Sequence, residues 1–482
     1  MNKKMIRYIV GSIIMLEAAL LLLPILTAIV YGEWNTLRVF AGSALFCIVA
    51  GALLRGKKPE NTTIFSVEGY VSVALCWVAL SICGAIPLCV SGVLQNPFDA
   101  FFEIVSGFTT TGSSVMQSVE GAPRAILMWR SFSHWVGGMG VLVFMLALLP
   151  MAGPSSMHLM KAESPGPSVG KLVPKVRSTA KILYQIYFVL TVVMLACMIL
   201  TGCPLFDSIN LTFATAGTGG FGVLDSSAAE YGAATQWVMT IFMILFGVNF
   251  NVYFLFYVKR FKEGMKSEEA RAYLGIIASA VLLISVNIFY MVRNLELTVR
   301  QAAFQVASII TTTGFSSVDF DLWPEFSKGI LVLLMFCGAC AGSTGGGMKV
   351  SRLCIMAKTV MKELAFIIHP RNVRKTRFEG KTVEHEVLRS INVFLVAYLG
   401  IFVLSVMLIS LDNFDFATNI TAVAATLNNI GPGLAKVGPT QNFDIYSNIS
   451  KLVLAFDMLA GRLEIFPMLV PMIYLLRKKQ LS

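Results

Sequence analysis

Residues 109–113 read Thr109-Thr110-Thr111-Gly112-Ser113, and the chain returns to this pattern three more times. Thr311-Thr312-Thr313-Gly314-Phe315 repeats it closely and Ala216-Gly217-Thr218-Gly219-Gly220 loosely. Asn428-Asn429-Ile430-Gly431-Pro432 stands where a fourth copy is due. Gly112, Gly219, Gly314 and Gly431 lie 107, 95 and 117 residues apart. Each follows a short, mostly apolar segment, and three of those segments open on a Phe-Asp pair: Phe98-Asp99, Phe206-Asp207 and Phe414-Asp415. A helix of about ten residues reaches ~15 Å, half the hydrocarbon thickness, so these segments cannot span and are expected to be re-entrant. Asp99 is placed to cap the first of them.

The rest of the chain is the frame for these loops. Its 482 residues are 56% apolar and only 13% charged, which excludes a string of soluble domains. Apolar runs of about 20 residues, enough to cross a bilayer, recur from end to end. The first begins after Asn2-Lys3-Lys4 and extends to about Val30. It is too long for a signal-peptide core and lacks a small-residue cleavage site, so it counts as a membrane helix.

Taken in order, residues 5–31 and 37–54 form two helices joined by Gly32-Glu33-Trp34-Asn35, and four similar units follow. The first has a crossing at 66–93, broken near Gly84 and Pro87, a half-helix from Pro97 to Phe108 and a return at 124–150. A polar loop from Met151 to Ala180 leads to the second, with a crossing at 181–202, a half-helix from Phe206 and a return at 235–258. The third has 273–292, a half-helix from about Thr298 and a return at 328–368. The fourth has 388–411, a half-helix from Phe414 and a return at 448–476. The corresponding divisions are 1–60, 61–160, 161–268, 269–380 and 381–482. Two full crossings and one half crossing give every unit the same orientation, so the symmetry axis stands along the membrane normal. The expected fold is an all-α polytopic membrane protein: four parallel helix–pore-loop–helix repeats around a central pore, plus two N-terminal helices.

Charge supports the same topology. The net charge of +11 comes from 38 Lys and Arg against 27 Asp and Glu. Most of the bases fall in loops on the side of the N-terminus, among them Arg55-Gly56-Lys57-Lys58, Lys259-Arg260, residues 371–377 and Arg477-Lys478-Lys479. The opposite side carries Asp99, Glu120, Asp225, Asp319 and Asp321. Such a distribution puts both termini in the cytoplasm and makes the excess charge topological, with no nucleic-acid partner implied. The nine cysteines lie in or beside apolar segments and read as small packing residues. Cys337-Gly338-Ala339-Cys340 has CxxC spacing without a soluble redox fold around it. His134, His158, His369 and His385 form no metal spacing; His134 is expected to pack in the outer half of its helix.

Irregular backbone at membrane depth is tolerated only where it lines a cavity or is buried in protein. Carbonyls from four loops can replace a cation's water shell, and glycine permits the backbone angles that turn them toward one axis. The C-terminal ends of the half-helices add partial negative charge there. No loop carries a carboxylate, which argues against a divalent-cation site. The candidate filter is therefore Thr110, Thr111 and Gly112; Gly217, Thr218 and Gly219; Thr312, Thr313 and Gly314; and Asn429, Ile430 and Gly431.

Two further features lie beyond the loops. Gly338, Gly342, Gly345, Gly346 and Gly347 interrupt the third returning segment, at about 1 kcal/mol each against alanine in a helix. They are expected to break the helix; the lesser alternative is a close helix–helix contact through small residues. Arg462 lies deep in the last apolar segment, where a charge is expensive and by default marks function; the alternative is a structural ion pair between helices, with Asp457 and Glu464 nearby in sequence.

The chain resembles the TrkH branch of the Trk/Ktr/HKT potassium-transporter superfamily over essentially its whole length. The resemblance rests on Gly107-Phe108-Thr109-Thr110-Thr111-Gly112, Thr218-Gly219-Gly220-Phe221, Thr311-Thr312-Thr313-Gly314-Phe315 and Asn429-Ile430-Gly431-Pro432-Gly433. Residues 134–140, 342–349 and Gly461-Arg462-Leu463-Glu464 resemble its returning helices, and the two extra N-terminal helices fit the TrkH branch. The resemblance implies potassium uptake, with K⁺ ions on filter carbonyls and no covalent cofactor. It implies a mobile intramembrane loop containing Gly342, Gly345, Gly346, Gly347 and Lys349 that obstructs the pore, and Arg462 below the filter as an electrostatic barrier. It further implies a homodimer of pore chains in a bacterial inner membrane and a separate nucleotide-binding cytoplasmic Trk regulatory subunit; this chain has no nucleotide motif of its own. The alternative is an ion-coupled secondary solute symporter, in which broken helices surround a midplane pocket of paired ionisable groups. A membrane-embedded enzyme would need a catalytic dyad or metal cluster at membrane depth, and the sequence offers none.

Overall fold

The computed structural model describes residues 1–61, 63–140, 176–370 and 375–480, almost all of them helical. The first apolar run makes α1 (Lys3–Leu20) and α2 (Leu22–Val30), which together form one membrane-length segment. They meet at Leu21 because Pro24 has no N–H to return to the Leu20 carbonyl. α3 (Trp34–Arg55) runs back against α1.

The first unit follows as α4 (Ser66–Val90), α5 (Pro97–Phe108) and α6 (Arg124–Gly138). Contrary to the expected break, α4 runs unbroken through Gly84 and Pro87. Pro87 stands in the last turn, three residues before the helix stops, so the bond it cannot make to the Cys83 carbonyl affects only the helix end. The cap of α5 also differs from expectation. Pro97 fixes the first helical position, so Asn96 is the cap, its side chain accepting from the Phe98 N–H at 3.1 Å. Asp99, one turn further in, instead takes the Lys451 ammonium at 2.6 Å.

The second unit is α7 (Val176–Leu200), α8 (Leu205–Gly217), α9 (Ala233–Phe246) and α10 (Phe250–Tyr257), followed by the short α11 (Phe261–Met265). α7 begins five residues before the expected end of the polar loop; the loop's earlier part and residues 141–150 of the first return lie outside the described residues. The second return is not one helix: α9 and α10 are bent by 87°. Asn249 forces the break by capping α10, accepting from the Asn251 N–H at 2.9 Å.

The third unit comprises α12 (Glu268–Val292), α13 (Leu295–Ile310), α14 (Glu325–Cys337) and α15 (Val350–Ile368). α13 starts earlier than expected, at an Asn294 cap, and residues 338–349 are not helical. Of the basic segment that follows, residues 371–374 lie outside the described residues. Beyond them a two-residue hairpin pairs Arg377 with Thr382 and Phe378 with Lys381. The fourth unit is α16 (His385–Ile409), α17 (Phe416–Leu427), α18 (Asn448–Arg462) and α19 (Phe466–Gln480). Its return also breaks, at Glu464 and Ile465, both of positive φ.

Every returning helix thus loses regularity at a matching point: after Gly138, Phe246, Cys337 and Arg462. Each also packs against the next unit's half-helix. α6 meets α8, α9 meets α13, α14 meets α17, and α18 closes the circle on α5. The frame is cyclic. Six helices among the described residues are long and apolar enough to cross a membrane, and α7, α12 and α16 are apolar yet largely uncovered by protein, as lipid-facing helices are. This is an all-α polytopic membrane protein.

Candidate functional site

The four half-helices end in one backbone conformation. Thr110, Thr218, Thr312 and Asn429 take φ of 55°, 57°, 57° and 56°. The next N–H in each loop reaches back five residues: Thr111 to the Ser106 carbonyl (2.9 Å), Gly219 to Ala214, Thr313 to Ser308 and Ile430 to Ala425 (each 2.8 Å). Then comes a glycine of positive φ, Gly112 (84°), Gly220 (80°), Gly314 (90°) or Gly431 (107°). A left-handed non-glycine residue costs on the order of 1 kcal/mol, and the chain accepts it at the same place four times.

This repetition corrects the register of the second loop. Gly220, not Gly219, is the counterpart of Gly112, Gly314 and Gly431, so the matching triplet is Thr218-Gly219-Gly220. Gly217 is the last residue of α8; a methyl group there would lie 2.2 Å from the His134 carbonyl oxygen, so this glycine serves the close approach of α6. The sequence offers glycine at 217, 219 and 220, and pattern alone does not choose among them.

The loops close into a ring. A methyl on Gly112 would lie 2.0 Å from the Gly219 oxygen, one on Gly220 2.1 Å from the Thr313 oxygen, and one on Gly314 2.0 Å from the Ile430 oxygen. On Gly431 it would lie 2.9 Å from the Thr111 oxygen. Each glycine therefore abuts the carbonyl just before its counterpart in the next loop. Side chains stitch the fourth seam: Ser113 Oγ donates to the Gly431 carbonyl (2.9 Å), and Asn429 Nδ2 to Thr111 Oγ1 (3.0 Å). All four glycines line one cavity of about 180 Å³, which Asp225, Gln117 and Asn442 share on its outer side.

Two supports behind the ring were not legible in the sequence. His134, expected only to pack, joins the first two loops: its Nδ1 lies 2.8 Å from the Gly107 carbonyl, and its Nε2 accepts from the Phe221 N–H at 3.3 Å. Those two partners require a neutral ring protonated on Nδ1. Glu103 and Arg130, 27 residues apart, form a fully buried ion pair at 2.7 Å. Glu103 also accepts from Ser114 Oγ (3.0 Å) and the Val115 N–H (2.9 Å), which fixes the chain just beyond Gly112, while Arg130 stacks over Phe221.

Residues 338–349 pass directly under the ring. The Gly346 N–H donates to Thr312 Oγ1 at 2.6 Å; methyls on Gly345 and Gly346 would lie 2.9 Å from the Thr311 oxygen and 2.5 Å from the Asn428 oxygen. Lys349, buried, turns its ammonium back onto the Gly345 and Gly346 carbonyls. Arg462 reaches the same place from α18: it donates to the Thr344 carbonyl (2.7 Å) and to the Gly137 and Gly138 carbonyls at the end of α6. Its neighbours have other partners, Glu464 pairing with Arg352 and Asp457 accepting from Ser405 Oγ (2.7 Å). Gly342, Gly345, Gly346, Gly347, Lys349 and Arg462 are thus gathered beneath the four loops.

Away from the ring, Glu17, Cys47 and Cys83 bring one carboxylate oxygen and two sulfurs within 4.8 Å of one another between α1, α3 and α4. Three anionic ligands around a divalent ion would leave net negative charge in an apolar core, where an uncompensated charge is costly.

The profile of the TrkH cation transport proteins matches residues 36–482. The chain belongs to the TrkH family. It is 34% identical to the Trk system potassium uptake protein TrkH of Escherichia coli (strain K12) over 98% of each chain. It is 29% identical to the Trk system potassium uptake protein TrkG of the same organism over 97% of each. The crystal structure of the potassium transporter TrkH from Vibrio parahaemolyticus superposes with a TM-score of 0.88, at 32% identity and 98% coverage of both chains. The ring of loops and the broken third return lie within the stretch that the TrkH family profile spans.

Proposed function

We propose that the chain is a potassium-uptake pore in which K⁺ loses its water to the backbone carbonyls of the four loops. The observation that carries this is the repeated backbone of those loops, closed carbonyl-to-glycine into a ring. K⁺ is the cargo; Thr110, Thr111, Gly112, Thr218, Gly219, Gly220, Thr312, Thr313, Gly314, Asn429, Ile430 and Gly431 form the filter, with no covalent cofactor and no chemistry done on a substrate. The pore repeats are residues 61–160, 161–268, 269–380 and 381–482. Similarity to relatives named as potassium uptake proteins favours this reading over the solute symporter.

Residues 338–349 with Lys349 and Arg462 form the gate: backbone blocks the path beneath the ring, and two cationic side chains repel an ion arriving there. Permeation requires this loop to move. Both termini face the cytoplasm of a bacterial inner membrane, as the basic loops favour. A membrane potential of 100 mV, negative inside, then favours entry by about 2.3 kcal/mol per charge. The relatives' designation as a Trk system supports a multi-component assembly: two pore chains and a nucleotide-binding cytoplasmic subunit acting on the gate.

Cation uptake into proteoliposomes tests this reading. With the regulatory subunit supplied, K⁺ and Rb⁺ are expected to enter faster than Na⁺ and Li⁺ without any organic substrate. Equal entry of all four, or uptake only with an organic solute, contradicts it.

A further inference from the structure

The gate loop is fastened at both of its ends by one side chain. Glu269, in the first turn of α12, is 3% exposed, and its carboxylate accepts from the Ala341 N–H at 2.6 Å and from the Ser351 N–H at 3.1 Å. Those donors bracket residues 342–350, so a single carboxylate spans Gly342, Gly345, Gly346 and Gly347. It also accepts from Asn249 Nδ2 at 3.1 Å, the residue whose side chain breaks the second returning helix. The break between α9 and α10 in turn receives the loop: Cys340 N–H donates to the Gly247 carbonyl and Phe250 N–H to the Gly342 carbonyl, each at 3.1 Å.

The start of α12 is itself held by the small hairpin. Glu379, at the turn of the small hairpin, accepts from Ser267 Oγ (2.8 Å) and from the Glu269 N–H (3.0 Å). Glu268 completes the junction, binding Lys358 of α15 at 2.7 Å and the Glu379 N–H at 3.1 Å. A continuous set of hydrogen bonds therefore runs from the hairpin, through Ser267, Glu268 and Glu269, to both ends of the loop beneath the ring.

We infer that Glu269 is the positioning residue of the closed gate, and that displacement of the hairpin releases it. The inference rests on the proposed pore: Glu269 acts through the loop and touches no ion. Its carboxylate suits the task because an anion can accept several N–H groups at once, and such bonds are about twice as strong as neutral ones. A glycine-rich segment has few side chains of its own to hold it against the large conformational entropy available to it, and Lys349 ties it only to itself. Much of its anchoring comes from elsewhere, and Glu269 supplies the part that binds both flanks at once. Ala341 and Ser351 share one carboxylate oxygen, so glutamine can still offer them a neutral carbonyl, but it loses the charge and sets its NH₂ against the Asn249 Nδ2 donor; alanine presents nothing, and aspartate keeps the charge on a shorter arm.

The test uses the full chain as Glu269→Gln, Glu269→Ala, Glu269→Asp and Glu379→Ala, in two measurements. In single-channel recordings, Glu269→Gln and Glu379→Ala are expected to raise open probability about tenfold, the factor that loss of one charge-assisted bond supplies, with K⁺ preference over Na⁺ unchanged. Glu269→Asp should lie between them and the wild type. The second measurement does not depend on conduction: maleimide labelling of Cys340, buried in the loop, followed by peptide mass spectrometry. Cys340 should react at least several-fold faster in Glu269→Gln and Glu269→Ala, while Cys47, buried between α1 and α3, stays protected and reports an intact fold. Unchanged Cys340 labelling in folded variants overturns the inference. So does higher flux with lost K⁺ preference, which would place Glu269 in support of the filter. If no variant conducts but Cys340 becomes reactive, the latch stands and the pore reading fails.

Discussion

Four glycines carry the greatest constraint per residue. Gly112, Gly220, Gly314 and Gly431 combine positive φ with a neighbouring carbonyl where a methyl would go, so substitution is penalised twice. The second loop separates this role from mere abundance of glycine. A methyl on Gly220 would collide with the Thr313 oxygen at 2.1 Å, whereas one on Gly222 meets nothing closer than 3.4 Å and its φ is unstrained. Gly220→Ala is therefore expected to abolish selective K⁺ uptake and to lose more than about 1 kcal/mol of stability, while Gly222→Ala keeps both near wild type. Flux and thermal denaturation of the two variants check this; equal behaviour would put the register back at Gly219. The sequence shows that each loop needs a glycine. It does not show which of three serves in loop two, because the choice depends on the Thr313 carbonyl, contributed from 93 residues away. The same applies to His134 and to the Glu103–Arg130 pair, whose partners come together only in the folded ring.

At the scale of the element, the returning helices depart furthest from what hydrophobic periodicity indicates. The apolar run of residues 235–258 continues across Gly247 and Asn249, so it reads as one crossing, yet the structure turns 87° there. Polar capping of α10 and hydrogen bonds to the gate loop decide the turn, and neither leaves a trace in apolar pattern. The third return is different, since five glycines in ten residues announce the break. Arg462 belongs to this scale as well, because it ties three elements together: α18, the gate loop and the end of α6. A unit charge about 10 Å from a cation, at an effective dielectric of about 20, repels it by roughly 1.7 kcal/mol, somewhat more than tenfold in rate. Arg462→Ala should accordingly raise K⁺ uptake by about that factor, measured as initial ⁸⁶Rb⁺ entry into proteoliposomes. Uptake at or below wild type would make Arg462 a structural tie alone.

For the whole molecule, the cyclic order of units follows from one contact repeated four times, a returning helix against the next unit's half-helix. That architecture was legible early, because an even number of crossings per unit fixes equal orientation and four equal units in a membrane close most simply around an axis. The N-terminal helices were visible too, and the structure packs them against the first unit, in the largest apolar cluster. The central claim is that the ring selects the ion, and ion preference after Gly314→Ser tests it most directly. A seryl side chain at a φ of 90°, crowding the Ile430 carbonyl, should open or distort one quarter of the ring and admit Na⁺ alongside K⁺. Reversal potentials under K⁺/Na⁺ gradients, with the regulatory subunit present, read this out. Loss of K⁺ preference with current retained is the predicted result; a conducting Gly314→Ser variant with wild-type preference would show that selection occurs elsewhere.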